Sequence, residues 1–363
     1  MSKFESLLRY LLHPQKRRVD SFAEFTIKVV AATSILLILL IFLFVFKEAS
    51  SLFFSPPKAK ISSETQVPSS YGEAPTSYGS DAPSEYNPDG GGQIHLGPKP
   101  TAKEEVPNEE PSLWENLIGT IWQPISTIPK FGILPLIVGT AKTTFIAILI
   151  GAPLAILAAL NVTFFLPMRI REFIKPTIEL LASFPSVVIG FFCLMDVATV
   201  VKSVFDLDFR LNAITGGIGL SIAVIPIIFT VAEDALNTVP QSYRQASLAL
   251  GATEWQTAYR VMLPAALPGV FAAVLLGIGR AFGETMIALM ATGNAPLMSF
   301  GVFDPSRTFA ATIGAEMGEV IWGSNHYNIL FLLGVLLFVF TFSLNAVTEL
   351  YVKKRLMKKF HGS

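Results

Sequence analysis

Two charged residues, Arg280 and Glu284, stand four apart within the apolar run 269–291. On an α-helix that spacing places both on one face, one turn apart. A charge inside a membrane costs at least about 2.5–3.5 kcal/mol on insertion scales, so such a residue faces a partner, a cavity or a pathway. In one reading the Arg280 guanidinium offers planar, paired donors to a passing oxyanion, and Glu284 holds it neutralised until the anion arrives. In the other the pair is an internal tie between helices. Thr285 follows Glu284, and Ser183 and Ser186 flank Phe184-Pro185 in another apolar run, so their hydroxyls are candidates for the same pathway. Pro185 and Pro226 are expected to interrupt their helices, and irregular backbone in a membrane is tolerated where it is buried or lines a cavity.

Other chemistry has few footholds. No Gly-Lys dipeptide occurs, hence no Gly-rich loop of the kind that cradles nucleotide phosphates. Gly277-x-Gly279-x-x-x-Gly283 is one residue off a dinucleotide fingerprint and follows no strand. The small residues Gly269, Ala273, Gly277 and Ala281 fit close helix packing better. A single cysteine, Cys193, permits neither an internal disulfide nor a cysteine-based metal cluster, and the four histidines lack metal-ligand spacing. No catalytic constellation emerges, so the chain reads as a non-enzyme without a cofactor of its own.

The elements that must position these residues are membrane spans. The chain has 363 residues, 52% hydrophobic and 15% charged, where soluble domains carry about 25% charged residues. Lys plus Arg equals Asp plus Glu at 27 each, which excludes a basic nucleic-acid binder and an acidic disordered chain. Apolar runs near the ~18–20 residues needed to cross a bilayer predict six spans, at 29–46, 135–161, 177–201, 214–232, 269–291 and 329–352. The first reads as a retained anchor, since no small-x-small cleavage site follows it. Lys and Arg concentrate in 1–28, 164–175, 233–268 and 353–363, which places both termini in the cytoplasm. The expected fold is therefore an all-α, multi-pass integral membrane protein with six transmembrane helices: a tail at 1–28, a first helix at 29–46, an external loop at 47–131, a five-helix core at 132–352 and a basic tail at 353–363. Ten prolines and six glycines crowd 55–111, too little apolar surface to offset the ordering entropy, so most of the loop should be disordered. With Trp114 and Trp122, the stretch 112–127 predicts an interfacial amphipathic helix.

The segment 233–268 between the fourth and fifth spans is the most patterned. Pro240 suits the first turn of a helix and Gly251 the left-handed residue that ends one. Thr253-Glu254-Trp255-Gln256 is a T-x-x-Q capping box for a second helix, expected to stop before Pro264. Gln245-Ala246-Ser247, Gly251 and Val261-x-Leu263-Pro264 resemble the EAA loop of bacterial ABC-importer permeases, written E-A-A-x3-G-x9-I-x-L-P. Every interval matches; Gln245, Ser247 and Val261 stand where that pattern has Glu, Ala and Ile. Residues 179–188, Gly279-Arg280-Ala281-Phe282-Gly283-Glu284-Thr285-Met286, Glu316-Met317-Gly318-Glu319 and Gly323-Ser324-Asn325-His326-Tyr327 are similar to permeases of phosphate importers, and to the C-type of the two homologous subunits. The likeness covers about 132–350.

This resemblance implies a type I ABC-importer permease in the bacterial inner membrane. It would pair with a homologous second permease, two copies of an ATPase that binds ATP and Mg, and an external phosphate-binding protein. The coupling helix with Tyr243, Arg244, Gln245, Ala246, Ser247, Ala249 and Gly251, leading on to Leu263 and Pro264, would dock on the ATPase. The Arg280–Glu284 pair would serve translocation. Rival readings are a permease for phosphonate, sulfate or molybdate, and a phosphate-sensing membrane scaffold. The outer segments are net acidic and should repel free phosphate over about a Debye length of ~8–10 Å, which favours delivery by a binding protein.

Overall fold

The computed structural model describes residues 18–54, 113–126 and 128–360. The expectations for the first residues of the N-terminal tail and for the Pro/Gly-rich loop fall outside the described residues.

Helix α1 (Arg18–Phe54) contains the predicted first span. Among the described residues, five helical stretches are long and apolar enough to cross a membrane: Leu134–Phe164, Ser186–Phe205, Ala213–Thr238, Glu254–Phe282 and Asn325–Leu350. Where 112–127 reads as one interfacial helix, the chain instead forms a short helix α2 (Leu113–Leu117) and a hairpin, β1 (Trp122–Gln123) antiparallel to β2 (Lys130–Phe131). Trp122 is buried rather than held at a lipid boundary. Its ring packs edge-on against Phe131.

Helix α3 (Leu134–Phe164) follows, with a proline in its first turn. The predicted span 177–201 is in fact two elements. Helix α4 (Met168–Ser183) is amphipathic and buries no residue. Phe184 and Pro185 are extended, and an apolar helix then runs as α5 (Ser186–Phe192), a π-helical turn (Cys193–Val197) and α6 (Ala198–Phe205). Proline disfavours the helical region for the residue before it, and Phe184 leaves the helix here. By contrast, Pro226 does not interrupt α7 (Ala213–Thr238), which runs through it. Asn212 caps α7 by accepting from the Thr215 N–H at 3.0 Å.

Helix α8 (Gln241–Ala249) begins one residue later than expected, with Pro240 as its cap. The capping box of α9 (Glu254–Thr257) is complete: Thr253 accepts from the Gln256 N–H at 3.2 Å, and Gln256 accepts from the Thr253 N–H at 3.0 Å. The helix that begins there does not stop before Pro264. A π-helical turn (Ala258–Met262) leads into α10 (Leu263–Phe282), with Pro264 in its first turn. A proline in a helix removes one ladder donor, and the wider turn just before it takes up that mismatch. The fifth predicted span, 269–291, also ends early. α10 closes at Phe282, and α11 (Met286–Ala291) starts after a three-residue break. Helices α12 (Phe309–Glu316) and α13 (Asn325–Phe360) complete the fold.

Helix α3 packs most extensively on α7, and α10 lies on α7 beside it. The small stripe of α10 forms that second contact, as its spacing predicts. A Cβ on Gly277 would come within 2.6 Å of the Ile228 side chain, and one on Gly269 would collide with Ala235. This core holds Phe229, Ile228, Leu236 and Met262. A second core at the hairpin end gathers Leu52, Trp122, Phe131, Leu136, Phe282 and Leu330. Helix α1 joins α13 through Phe42–Phe338 and Phe44–Phe331, with ring centroids 5.1 and 5.8 Å apart.

Candidate functional site

Arg280 lies in the last turn of α10, and Glu284 lies in the break beyond it rather than one turn further along a helix. They stay paired because the backbone still turns there, with the Glu284 N–H donating to the Ala281 carbonyl. The Arg280 Nε stands 3.8 Å from Glu284 Oε2. Their burial differs sharply: the arginine side chain is 51% exposed and the glutamate 9%. The carboxylate is thus fixed in the protein while the guanidinium reaches outward.

It reaches a cavity of about 300 Å³ between α4, α5, α7 and α10. The lining is largely apolar, from Phe184, Ile189, Ala223, Pro226 and Ile227, with polar groups from Glu179, Ser186, Thr230 and Arg280. Of the candidate pathway residues, Arg280 and Ser186 meet here. Ser183 does not: its hydroxyl donates to the Leu180 carbonyl of its own helix at 2.7 Å. Thr285 and Glu284 also lie off the lining. Thr230 escaped the sequence reading, although it stands one helical turn from Pro226, and Glu179 carried no assigned role.

At the end where α8 and α9 turn, Gly251 has φ +85° and reverses the chain. The Ser247 and Thr257 hydroxyls share a buried hydrogen bond of 2.9 Å across this turn, and Arg244 pairs with Glu254 at 3.0 Å. Ser247, which replaces an alanine of the loop pattern, therefore fastens one helix to the other. Tyr243, Gln245, Ala246 and Ala249 are exposed, as are Leu250 and the stacked rings of Trp255 and Tyr259. Leu263 and Pro264 belong to the helix that carries Arg280. The coupling candidates thus form one helix–turn–helix that continues without a break to the cavity.

Two charged clusters that the sequence reading missed brace this arrangement. Near the turn, Glu233 is fully buried and accepts from Lys175 at 2.7 Å, from Asn237 at 2.7 Å and from Arg171. This ties α4 to α7. The hydrogen bond to Glu233 holds the Lys175 ammonium above the usual lysine range, against the opposing effect of burial. At the opposite end, Glu316 accepts from Arg307 at 2.5 Å and from the Trp122 Nε1–H at 3.1 Å, and its other oxygen bonds His326 at 2.8 Å. Burial pushes the Glu316 carboxyl up, but the bonds from His326 and Trp122 and the charge of Arg307 outweigh it, so the group titrates below its ordinary range. Lys142 donates to the Ser299 and Gly301 carbonyls at 3.0 and 2.8 Å and pins the loop before α12.

An apolar helical bundle with an exposed helix–turn–helix at one end, running on into a cation-bearing cavity, defines a helical membrane protein of the transporter class. The model of the family described as binding-protein-dependent transport system inner membrane component matches residues 151–356. The chain belongs to this family, whose members are inner-membrane components acting with an ATPase and a binding protein. It is 37% identical over 228 residues to a probable ABC transporter permease protein, YqgH, of Bacillus subtilis, covering 63% of this chain and 74% of that protein. It is 34% identical over 247 residues to the phosphate transport system permease protein PstC of Mesorhizobium japonicum, covering 63% and 75%. To PstC 1 of Mycobacterium tuberculosis it is 33% identical over 246 residues, covering 62% and 73%.

Proposed function

We propose that this chain is one permease subunit of an ATP-driven importer that carries inorganic phosphate into the cytoplasm. The observation that carries the reading is the placement of the half-exposed Arg280 on a largely apolar cavity, in a chain related to phosphate permeases. A planar guanidinium in an apolar wall suits a tetrahedral oxyanion, to which it can donate two parallel N–H bonds. The chain pairs with a homologous second permease. It exposes α8 and the α8–α9 turn to a separate ATPase dimer, which holds the ATP and Mg, and receives phosphate from an external binding protein. Both termini and the α8–α9 turn lie in the cytoplasm, in keeping with the Lys/Arg bias of those segments. This chain contributes no hydrolytic chemistry.

The mechanism is alternating access. Closure of the ATPase dimer moves the α8–α9 turn, and the single helix from Glu254 to Phe282 conveys that movement to Arg280. A cation open to both sides at once would leak anions, so Arg280 is offered to one side at a time. The direct test is to purify the chain from its host membrane and reconstitute what accompanies it. An ATPase and a second permease should co-purify, and vesicles should accumulate phosphate only with ATP and the binding protein. Purification as a lone chain, or ATP hydrolysis without phosphate accumulation, would overturn the reading.

A further inference from the structure

The cavity holds a group that an anion site does not need for attraction. Among its lining residues Arg280 is the one cation, and Glu179 of α4 is the one carboxylate. Glu179 also contributes to the field that raises Lys175, four residues earlier on the same helix. For a fully deprotonated oxyanion, a carboxylate on the wall is a repulsive charge with no donor to meet it. For a hydrogen phosphate it is an acceptor, because each phosphate species present near neutral pH keeps at least one P–OH. An ionised carboxylate only accepts hydrogen bonds, so the pair Arg280 and Glu179 offers donors to P–O⁻ and an acceptor to P–OH. Ser186 and Thr230 can serve either.

We propose that Glu179 is a specificity-determining residue of the translocation site, selecting oxyanions that carry a proton and rejecting those, such as sulfate, that carry none. This rests on the reading of the cavity as the phosphate site. Rejection by an unmatched polar group is steep: a site built to bond a hydroxyl disfavours an analogue lacking it far more than a missing methylene would. The filter lies inside the permease, beyond any selection by an external binding protein.

The test removes that first selection. The purified complex in nanodiscs, without the binding protein, is assayed at neutral pH for radiolabelled phosphate binding and for competition by sulfate. Three versions are compared: the natural complex, R280Q and E179Q. Glutamine keeps an acceptor for P–OH and adds an N–H donor that sulfate can use, and position 179 is exposed, so folding is retained; the thermal stability of the purified complex checks this. We expect R280Q to lose phosphate binding at least tenfold, and E179Q to keep it while sulfate competes at least tenfold better. Arg280-dependent binding with an unchanged sulfate-to-phosphate ratio in E179Q overturns the role of Glu179 and leaves the site standing. Binding that does not depend on Arg280 overturns the site itself, and the filter with it.

Discussion

Replacing Glu316 by glutamine should loosen the hairpin of β1 and β2 while leaving the bundle folded. In the native chain, one carboxylate oxygen accepts from Arg307 at 2.5 Å and from Trp122 at 3.1 Å, and the other bonds His326 at 2.8 Å. Arg307 and Glu316 are each 14% exposed, so solvent screens the pair only weakly. Removing one partner of a well-buried pair costs about 3–5 kcal/mol. Glutamine retains one acceptor and the same shape, which brings the expected loss to about 2 kcal/mol. That is about thirtyfold in local opening, at 1.4 kcal/mol per factor of ten. Hydrogen exchange of the amides of Gly132 and Ile133, which donate to Ile121 and Leu117 at 2.8 and 2.9 Å, reports that opening directly. Acidity gives a second handle. Because Glu316 titrates below its ordinary range, its contribution is complete above the unfolded value of about 4.3 and is lost as pH falls through the folded one. The difference between natural and variant chains should thus persist at neutral pH and vanish in strong acid. Protection in E316Q within a factor of three of the natural chain at neutral pH would refute the bracing role.

Further perturbations have equally definite outcomes. R280Q should reduce ATP-dependent phosphate uptake by reconstituted vesicles about a hundredfold, since two charge-assisted bonds of about 1.5 kcal/mol or more are lost; R280K should fall in between, because a point charge lacks the paired donors. In E233Q, two cations that are 26% and 34% exposed lose a fully buried partner, and a destabilisation of about 2–3 kcal/mol should appear as lower thermal stability of the purified complex. Because the Lys175 value is raised, the clamp is at full strength below the ordinary lysine range of about 10.4 and fails as pH rises through the folded value; E233Q should lack this alkaline step in thermal scans. Gly251 has open space where a side chain would sit, so Gly251→Ala meets only the penalty of a left-handed backbone, about 1 kcal/mol, and should lower uptake per ATP hydrolysed without preventing assembly.

Helix positions were legible wherever hydropathy alone decides them, as in Leu134–Phe164 and Ala213–Thr238. The helix–turn–helix was legible too, because Thr253, Gln256 and Gly251 carry strong local signals. Prolines misled the reading. Pro185 breaks its helix, whereas Pro226 and Pro264 do not, since the outcome depends on whether neighbouring backbone can absorb a missing donor. The amphipathic α4 was merged with the apolar helix after it because hydropathy averages across Phe184. Of the candidate site, Arg280 stood out as a charge in an apolar run, but Glu179 and Thr230 join it only through the crossing of α4 and α7. The clusters around Glu233 and Glu316 are assembled from residues as far apart as Trp122 and His326, a juxtaposition that no local pattern encodes.

The π-helical turn at Ala258–Met262 fixes an angle as well as relieving a proline. An α-helix advances about 100° per residue, and a π turn acts as one residue inserted into that screw. The azimuth at which Arg280 leaves its helix, measured against Trp255 ahead of the turn, is therefore set by this single turn. Were it rewound into regular α-helix with Trp255 held, the guanidinium would swing by about 100° away from α4 and α7. The phase between the surface that is gripped and the charge that is presented is thus written into five residues of backbone.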